Sequence, residues 1–346
     1  MENFKIVIKR IILQFKLPFL MLFSRFTFLS AIYYTLLSKS FWREFNSVLS
    51  GRFLYLKRLN KKTENIFLLR RNVHRLEKGL LMIPRKPVFG IKYIEELVDV
   101  FEYLIKENNY ENIYDELHWA YDVLTKYFFI VKDNPIILKS KNKFDAINID
   151  FYSKKKKIPF NKVNDKPAVG IELFNQLVES RRSVRWFLKK PVPRKLIDQA
   201  ILNAVQSPSS CNRLPYEFRV IDDEKLVNKI SEIPMGTKGF ANNIPVMIAV
   251  IGHLDAFFDE RDRHLIYIDA SLASMAMILS FETMGLSTCC LNWPDIPQKE
   301  KKIHSFLELN KNNRVIMLVA LGWADPDGKV AYSEKKSLNV IRKYNE

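Results

Sequence analysis

Apolar residues recur at helical spacing along the first half of the chain. In the segments 93–107 and 114–131 they fall at i, i+3 and i+4, which predicts a pair of amphipathic helices. Another helical segment is predicted within 65–90 and ends at Pro84, and the first 45 residues interleave aromatic and aliphatic side chains with Lys and Arg. From 137 to 168 the periodicity gives way to a polar stretch with a lysine run at 154–157, which predicts a linker or a wrapping arm.

The second half alternates helical patterns with short apolar runs. Helical spacing predicts helices over 170–179, 191–206 and 269–285. Strands are predicted where residues alternate or form short apolar runs bounded by turn signals, at 216–222, 244–252, 286–292 and 314–323. Strands separated by helices of mixed length predict an α+β layered domain. The chain therefore divides into a helical extension (1–136), the linker (137–168) and the layered domain (169–346).

Composition narrows the chemistry. The 346 residues are 48% hydrophobic and 13% aromatic, enough for a packed core, which excludes wholesale disorder. Glycine is scarce, at 10 residues, and neither G-x-G-x-x-G nor G-x-x-x-x-G-K-[ST] occurs. The three cysteines (Cys211, Cys289 and Cys290) form no C-x-x-C motif, so neither a disulfide framework nor a zinc site is expected. No metal is expected, because the five histidines also lack metal-ligand spacing.

The net charge of +17 is concentrated at the N-terminus, where residues 1–86 hold 18 Lys and Arg against 4 Asp and Glu, or +14. Basic residues among aromatic ones suit helices lying on an anionic membrane surface through residues 1–45. Packing within the chain or against a partner stays open, whereas a spanning helix is less favoured because Arg25 divides the apolar run. No nucleic-acid partner is expected, because bulky aliphatic residues alternate with the charges. We expect a cytoplasmic protein, peripheral on the inner leaflet.

Two groups of basic residues are candidate anion sites. Arg70, Arg71, His74, Arg75 and Lys78 share one face of a predicted helix, which is either an anion-receiving face over an active site or a solvated or lipid-facing stripe. The second group has two parts, and its members are Arg181, Arg182 and Arg185 around Ser183, with Lys335 and Lys336 in the tail. If its two parts converge, a phosphate monoester is the expected guest, because Arg grips phosphate bidentately.

Four ordered motifs carry a family resemblance. SRRSVRWF (180–187), SPSSCNRLPYEF (207–218), MAMILSFETMGLSTCCLNW (275–293) and the strand ending in LGW before the basic tail together resemble the FMN-dependent nitroreductase superfamily. The resemblance covers about residues 170–346 and leaves the N-terminal helical region outside it. It implies a layered α/β/α sandwich with a mostly antiparallel central sheet. It also implies a homodimer with two FMN sites at the subunit interface.

The resemblance also implies which residues bind the cofactor. Arg181 and Ser183 would hold the phosphate and ribityl chain together with Arg182, and Arg185 would be the cation beside flavin N1 and O2. Backbone N–H groups near flavin O4 and N5 would come from Leu291, Asn292 and Trp293. The remaining implied residues are the loop to the partner's flavin, Pro208, Ser209, Ser210 and Asn212, and the tail cations Lys335 and Lys336. The family loop usually reads N-x-Q-P-W, whereas this chain has Asn212, Arg213, Leu214, Pro215 and Tyr216.

The expected activity follows from the same resemblance. It is an FMN-dependent NAD(P)H oxidoreductase that passes hydride through flavin N5 to a small conjugated acceptor such as a nitroaromatic, quinone or enone. No catalytic side chain is needed, since the cofactor carries the chemistry and Arg185 stabilises charge. The alternatives are a redox-inactive flavin-fold module at a membrane and a flavin enzyme acting on a non-standard substrate. Cys289 and Cys290 are expected to be buried fillers, Trp293 to stack on the flavin or pack in the core, and Asp269 and Glu282 to be surface or capping charges.

Overall fold

The computed structural model describes residues 14–61, 64–106, 110–149, 151, 156–162 and 167–345. The start of the predicted membrane segment (1–13) and part of the lysine run (154 and 155) lie outside the described residues. The first half is helical, with α1 at Thr27–Ile32, α2 at Trp42–Lys61, α3 at Ile66–Leu81, α4 at Ile94–Lys106, α5 at Tyr114–Ile130 and α6 at Pro135–Asp145.

Helices α3 to α6 and one end of α2 bury their apolar faces in a common core. Its fully enclosed members include Leu69, Val73, Leu97, Phe101 and Leu124. The predicted helix pair corresponds to α4 and α5, as the i, i+3, i+4 spacing requires. The helical region therefore has an apolar core of its own.

The predicted linker is wrong in its first part, since residues 137–145 belong to α6. Asn134 caps this helix by accepting a hydrogen bond from the N–H of Ile136, and Pro135 occupies the first turn. Ile137 and Phe144 are buried in the helical core. A sparse apolar stripe between lysines was enough for a helix, because the core of α4 and α5 covers it.

The helical region packs against the second half through α2. Gly51 lies so close to a short 3₁₀ turn, Leu254–Ala256, that a Cβ atom there would stand 2.6 Å from the Leu254 carbonyl carbon. Arg58 donates to Asp255 at 2.6 Å, and Asp255 is nearly buried. Of the three alternatives for the N-terminal helices, packing within the chain thus holds for α2.

The segment before α2 has a different environment. Residues 14–24 are helical, and α1 continues into a π-helical turn, Tyr33–Leu37; α1 and this turn bury no residue. The large apolar side chains that are exposed here include Phe15 (78%), Met21 (72%), Phe28 (72%) and Leu36 (72%). This part of the chain presents an apolar surface that the rest of the described chain does not cover.

The second half is built on a four-stranded sheet. Its strands are β1 at Tyr216–Ile221, β2 at Val246–His253, β3 at Ser287–Asn292 and β4 at Asn313–Gly322, in the order β1-β2-β4-β3, and all neighbours are antiparallel. Each strand lies where the apolar pattern predicts it. The mostly antiparallel central sheet is confirmed.

Helices cover both faces of the sheet. They are α8 at Arg194–Ala204, α9 at Glu224–Ser231, α10 at Leu265–Thr283 and α11 at Pro297–Leu307. Two further helices of this half, α7 at Ile171–Ser180 and α12 at Leu338–Ile341, bury no residue. Met247 and Ala249 of β2 face α9 and α11, and the alternate residues Ile248 and Val250 face α8 and α10. This is the predicted α/β/α sandwich. Helices α9 and α11 had not been predicted.

Helix α10 is apolar on all sides. By length and composition, Glu260–Thr283 would be able to cross a membrane, but half of its apolar window is buried within the protein. Ala270, Ala273 and Met277 pack on the sheet and on α8. We therefore regard α10 as the core helix of the layered domain.

Candidate active site

The segment after α7 runs beside β3. Ser183 forms a parallel bridge with Thr288, and the N–H of Val184 donates to the Thr288 carbonyl at 3.0 Å. This pairing brings the arginine segment to the edge of the sheet, where the C-terminal tail also passes. A cavity of about 110 Å³ lies between them, lined by Arg181, Arg182, Ser183, Arg185, Ala331, Tyr332, Ser333 and Lys335.

The cavity is strongly positive. Its lining contains four cations and no carboxylate. Among the described residues, none of these four cations has a carboxylate at ion-pair distance; Arg185 donates only to the Ser183 carbonyl, at 3.4 Å. Glu282 of α10 is the acid whose charge acts on Arg181 and Arg182, and burial raises the pKa of this carboxyl. The cavity therefore concentrates positive charge with which no described carboxylate forms an ion pair.

Lys336 differs from Lys335. It is exposed in the tail and does not line the cavity. The structure thus brings Arg181, Arg182, Ser183, Arg185 and Lys335 together and leaves Lys336 outside. Their role toward a flavin phosphate stays a prediction.

The loop containing Pro208, Ser209, Ser210 and Asn212 lies elsewhere, beside the start of α10. The N–H of Ser210 donates to the Asp269 carboxylate at 2.8 Å, and Arg70 of α3 donates to the Asn212 carbonyl at 2.7 Å. Asn212 and its neighbour Cys211 have φ of 51° and 53°, in the left-handed region that L residues seldom adopt. Contacts from α3 and α10 hold this unusual backbone.

One chain does not bring the loop and the arginine cavity together. The loop is tied to Asp269 near the start of α10, whereas Glu282, whose charge acts on Arg181, is near its end. The 13 residues between the two acids span roughly 20 Å of helix. The two predicted halves of the cofactor site therefore lie at opposite ends of α10.

The segment Leu291, Asn292 and Trp293 continues from the edge strand that carries the cavity. Asn292 is about four residues beyond the Ser183 bridge, or roughly 13 Å along the strand. Leu291 and Trp293 are buried and Asn292 is exposed. Trp293 donates its indole N–H to the buried Glu300 carboxylate, so of the two alternatives its ring packs in the core.

A model of the Nitroreductase family matches residues 178–237 and 232–323. These ranges include the arginine segment, the 208–212 loop and all four strands. The second half of the chain is a nitroreductase-family domain. The N-terminal helical region lies outside the match.

Several known proteins are similar to this chain. An iodotyrosine deiodinase of Danio rerio is 26% identical over 201 residues, covering 49% of this chain and 66% of the relative, so just under two thirds of that protein is represented. An iodotyrosine deiodinase of Thermotoga neapolitana is 25% identical over 198 residues, which cover 51% of this chain and 99% of the relative. The structure of an FMN-dependent nitroreductase from Clostridium difficile R20291 aligns with 23% identity and a TM-score of 0.42. The alignment covers 49% of this chain and 98% of that protein.

Two cysteines of the nitroreductase domain differ from each other. Cys289 is buried, whereas Cys290 is exposed. The expectation that both are buried fillers is wrong for Cys290, because successive side chains of a strand point to opposite faces. Cys290 and Asn292, which lie on the same face of β3, are the exposed residues of this strand.

Asp269 was expected to be a surface or a capping charge; it is only 3% exposed, and it accepts a hydrogen bond from the Ser210 N–H that begins the 3₁₀ turn Ser210–Asn212. Burial raises the pKa of this carboxyl, while the Ser210 N–H and the charge of Arg213 favour its ionised form. The sequence contained one signal that Asp269 is buried and binds the 208–212 loop, since this acid interrupts an otherwise mostly apolar helix. The contribution of Ala331, Tyr332 and Ser333 to the cavity had no signal, because nothing in the tail pattern indicates where it docks.

Proposed function

We propose that the protein is an FMN-dependent NAD(P)H oxidoreductase that reduces a small conjugated acceptor of the nitroaromatic, quinone or enone class. The observation that carries the proposal is the cavity at the β3 edge of a nitroreductase-family domain, whose four cations form no ion pair with any described carboxylate. Such a concentration of positive charge is costly unless an anion accompanies it.

The residues present fit the phosphate of FMN. A phosphate monoester carries close to two negative charges, and Arg181 and Arg182 offer planar donors that match its oxygens. The exposed hydroxyl of Ser183 adds a neutral donor between them. Arg185, further along the same segment, would lie beside the pyrimidine edge of the flavin.

The bound flavin would supply hydride transfer at N5, and the chain's own groups would position it. Backbone N–H groups of 291–293 would orient the ring, and the Trp293–Glu300 hydrogen bond holds that segment in the core. A fixed guanidinium at Arg185 would favour the negative charge of the reduced state. No side chain needs to transfer a proton in this scheme.

A homodimer accounts for the separation of the two half-sites. The loop 208–212 would contact the flavin bound by the second subunit, because the two halves lie at opposite ends of α10 within one chain. Between these ends α10 exposes an apolar stripe of Ile268, Leu272 and Met275. Helix α7 likewise buries no residue and exposes Leu173 and Phe174. A second copy of the chain is the partner that these surfaces fit.

The N-terminal surface supports a peripheral membrane location in the cytoplasm. The exposed apolar residues of 14–37 are accompanied by Lys16, Arg25 and Lys39, and no acid occurs between residues 14 and 41. This combination favours an anionic leaflet. The acceptor would then be lipid-linked or envelope-related.

Purified protein tests the proposal directly. It should be yellow, and the flavin absorbance should bleach when NADH or NADPH is added under nitrogen and return when a quinone or nitroaromatic acceptor follows. Flavin that binds but never bleaches would instead support a redox-inactive binding module. Colourless protein with no affinity for FMN would overturn the proposal.

A second candidate activity is reductive removal of a halogen from an aromatic ring, favoured by the names of the two relatives above. Two electrons from the nicotinamide would break the carbon–halogen bond, a proton would replace the halogen, and halide would leave. Including an iodinated phenol in the acceptor panel and measuring iodide release separates this activity from nitro or quinone reduction.

A further inference from the structure

Three arginines lie where the helical region contacts the nitroreductase domain, and the charge of Arg71 acts on both of the others. Arg71 and Arg75 are one turn apart on α3, and Arg213 follows the 208–212 loop. Each guanidinium lies over an aromatic ring: that of Arg71 is 5.0 Å from the ring centre of Phe258, that of Arg75 is 3.6 Å from Tyr93, and that of Arg213 is 4.7 Å from Phe257. Stacking holds the guanidinium planes. Arg75 uses one N–H to donate to the Asn72 side-chain oxygen at 3.1 Å, which leaves its other N–H groups for a ligand.

Acids act on these three arginines only at longer range, and those that act on Arg213 are Asp262 and Asp269. None of them has a carboxylate at ion-pair distance among the described residues. Glu96 acts on Arg75 only at longer range, and it accepts a hydrogen bond from Asn72 at 2.7 Å. Arg70 on the same helix provides the contrast, since it is paired with Glu116 at 3.2 Å.

Arg213 is the member that most requires a partner. Its residue is 3% exposed, and its Nε atom has no hydrogen-bond partner among the described residues. Burial lowers the pKa of Arg213 and of Arg75, and the positive charge of Arg71 lowers both further. Burying an unpaired cation beside other cations is unfavourable, and an anion between them removes that penalty.

We propose that Arg71, Arg75 and Arg213 bind a carboxylate or phosphate group of the electron acceptor. The assignment rests on the proposed function, which has the neighbouring 208–212 loop contact the flavin of the second subunit. Tyr93, whose ring lies under Arg75, adds a hydroxyl donor beside the arginines. Arg71 and Arg75 are partly exposed, so a ligand has access to them.

Matched acceptors test the site. 4-Nitrobenzoate, 4-nitrophenyl phosphate and the uncharged methyl 4-nitrobenzoate have the same reducible group, so the ratio of their kcat/KM values isolates the anion. We expect the flavin-loaded wild type to prefer at least one anionic acceptor over the ester by tenfold or more. R71Q and R75Q should each reduce that ratio about tenfold, and the charge-conserving R75K should retain most of it. The preferred anion distinguishes a carboxylate from a phosphate ligand.

The control is K78Q, which removes one charge from an exposed position of the same helix and should leave the ratio unchanged. A ratio near one in the wild type, or one that survives both R71Q and R75Q, overturns the site. Calorimetry with benzoate and with 4-nitrophenyl phosphate gives a second readout. If no acceptor is reduced but one of these anions binds and R75Q abolishes its binding, the proposed activity fails and the anion site stands.

Discussion

Arg70 and Arg71 are neighbours in the sequence but have different environments. Arg70 donates to the Asn212 carbonyl and pairs with Glu116, whereas Arg71 lies over Phe258 without a carboxylate partner among the described residues. Adjacent helical residues point in directions about 100° apart. Residue type and spacing identified the basic face, but the contacts of each residue depend on which element packs against it.

At the phosphate cavity, the double variant R181A/R185A should lose FMN. Each charge-assisted hydrogen bond contributes about 1.5–3 kcal/mol, so removing both guanidinium groups should weaken FMN binding by at least a hundredfold. Flavin fluorescence titration measures the loss. K189A removes an exposed charge just beyond the segment and should bind FMN normally. Unchanged affinity in R181A/R185A would contradict the assignment.

Asp269 supports the 208–212 loop, and its two simplest substitutions should differ. D269A leaves the Ser210 N–H without its acceptor and should lower the free energy of unfolding by about 1–3 kcal/mol. D269N keeps an acceptor oxygen for the Ser210 N–H and removes a negative charge that burial disfavours, as the raised pKa of the Asp269 carboxyl indicates. The free energy of unfolding of D269N at pH 7 should therefore be at or near that of the wild type. Urea denaturation distinguishes these outcomes, and equal losses in both variants would show that the charge itself is needed.

At the scale of elements, helical periodicity predicted which segments are helices but not which elements pack against each helix. Helices α4 and α7 both have apolar stripes, but α4 encloses Leu97 and Phe101, whereas α7 buries nothing. Two of the surfaces that the described elements leave uncovered, 14–37 and α7, differ in composition. The first combines apolar residues with basic ones, and the second is continuous with the exposed stripe of α10.

The N-terminal surface predicts membrane binding that depends on lipid charge. Full-length protein should sediment with vesicles containing phosphatidylserine and much less with neutral vesicles, and deletion of residues 1–41 should abolish the effect. Substituting Lys16, Arg25 and Lys39 by Gln should weaken the partition by about a hundredfold, at about 1 kcal/mol for each charge. Equal sedimentation of the deleted and full-length proteins would show that this surface contacts something other than lipid.

At the scale of the whole molecule, the two parts of the proposed cofactor site belong to opposite ends of α10. The arginine cavity was predicted from Arg185 and Lys335, which are 150 positions apart in the sequence. The structure contains a cavity that the arginine segment and the C-terminal tail both line. In the proposed dimer, the 208–212 loop of a second copy of the chain would complete it. The exposed stripe of α10 and the uncovered face of α7 are the surfaces available for that copy.

Placing a charge on this stripe should separate the subunits. L272E introduces a carboxylate at a residue that is 46% exposed, so the chain should fold, become monomeric in sedimentation and lose FMN. L226E on α9 is the matched control, since Leu226 is 45% exposed on the other side of the sheet, and it should keep both the dimer and the flavin. A dimeric, flavin-loaded L272E protein would exclude this interface.

The strands and the long helices were predictable from the sequence because burial imposes a pattern on their residues. A strand that is buried on both faces is a continuous apolar run, and a helix that is buried on one face repeats apolar residues at i, i+3 and i+4. Helices α6, α9 and α11 were not predicted from it: α6 lies in a polar stretch with only a sparse apolar stripe, and long-range packing covers it.

The sequence by itself determined the layered fold, the arginine segment and the excess of charge at the N-terminus, since these depend on local pattern and composition. Only the tertiary structure decided that Lys335 and not Lys336 lines the cavity, that Asp269 is buried, and that Arg213 lies near Arg71. Those outcomes depend on contacts between residues far apart in the chain, which local periodicity does not encode.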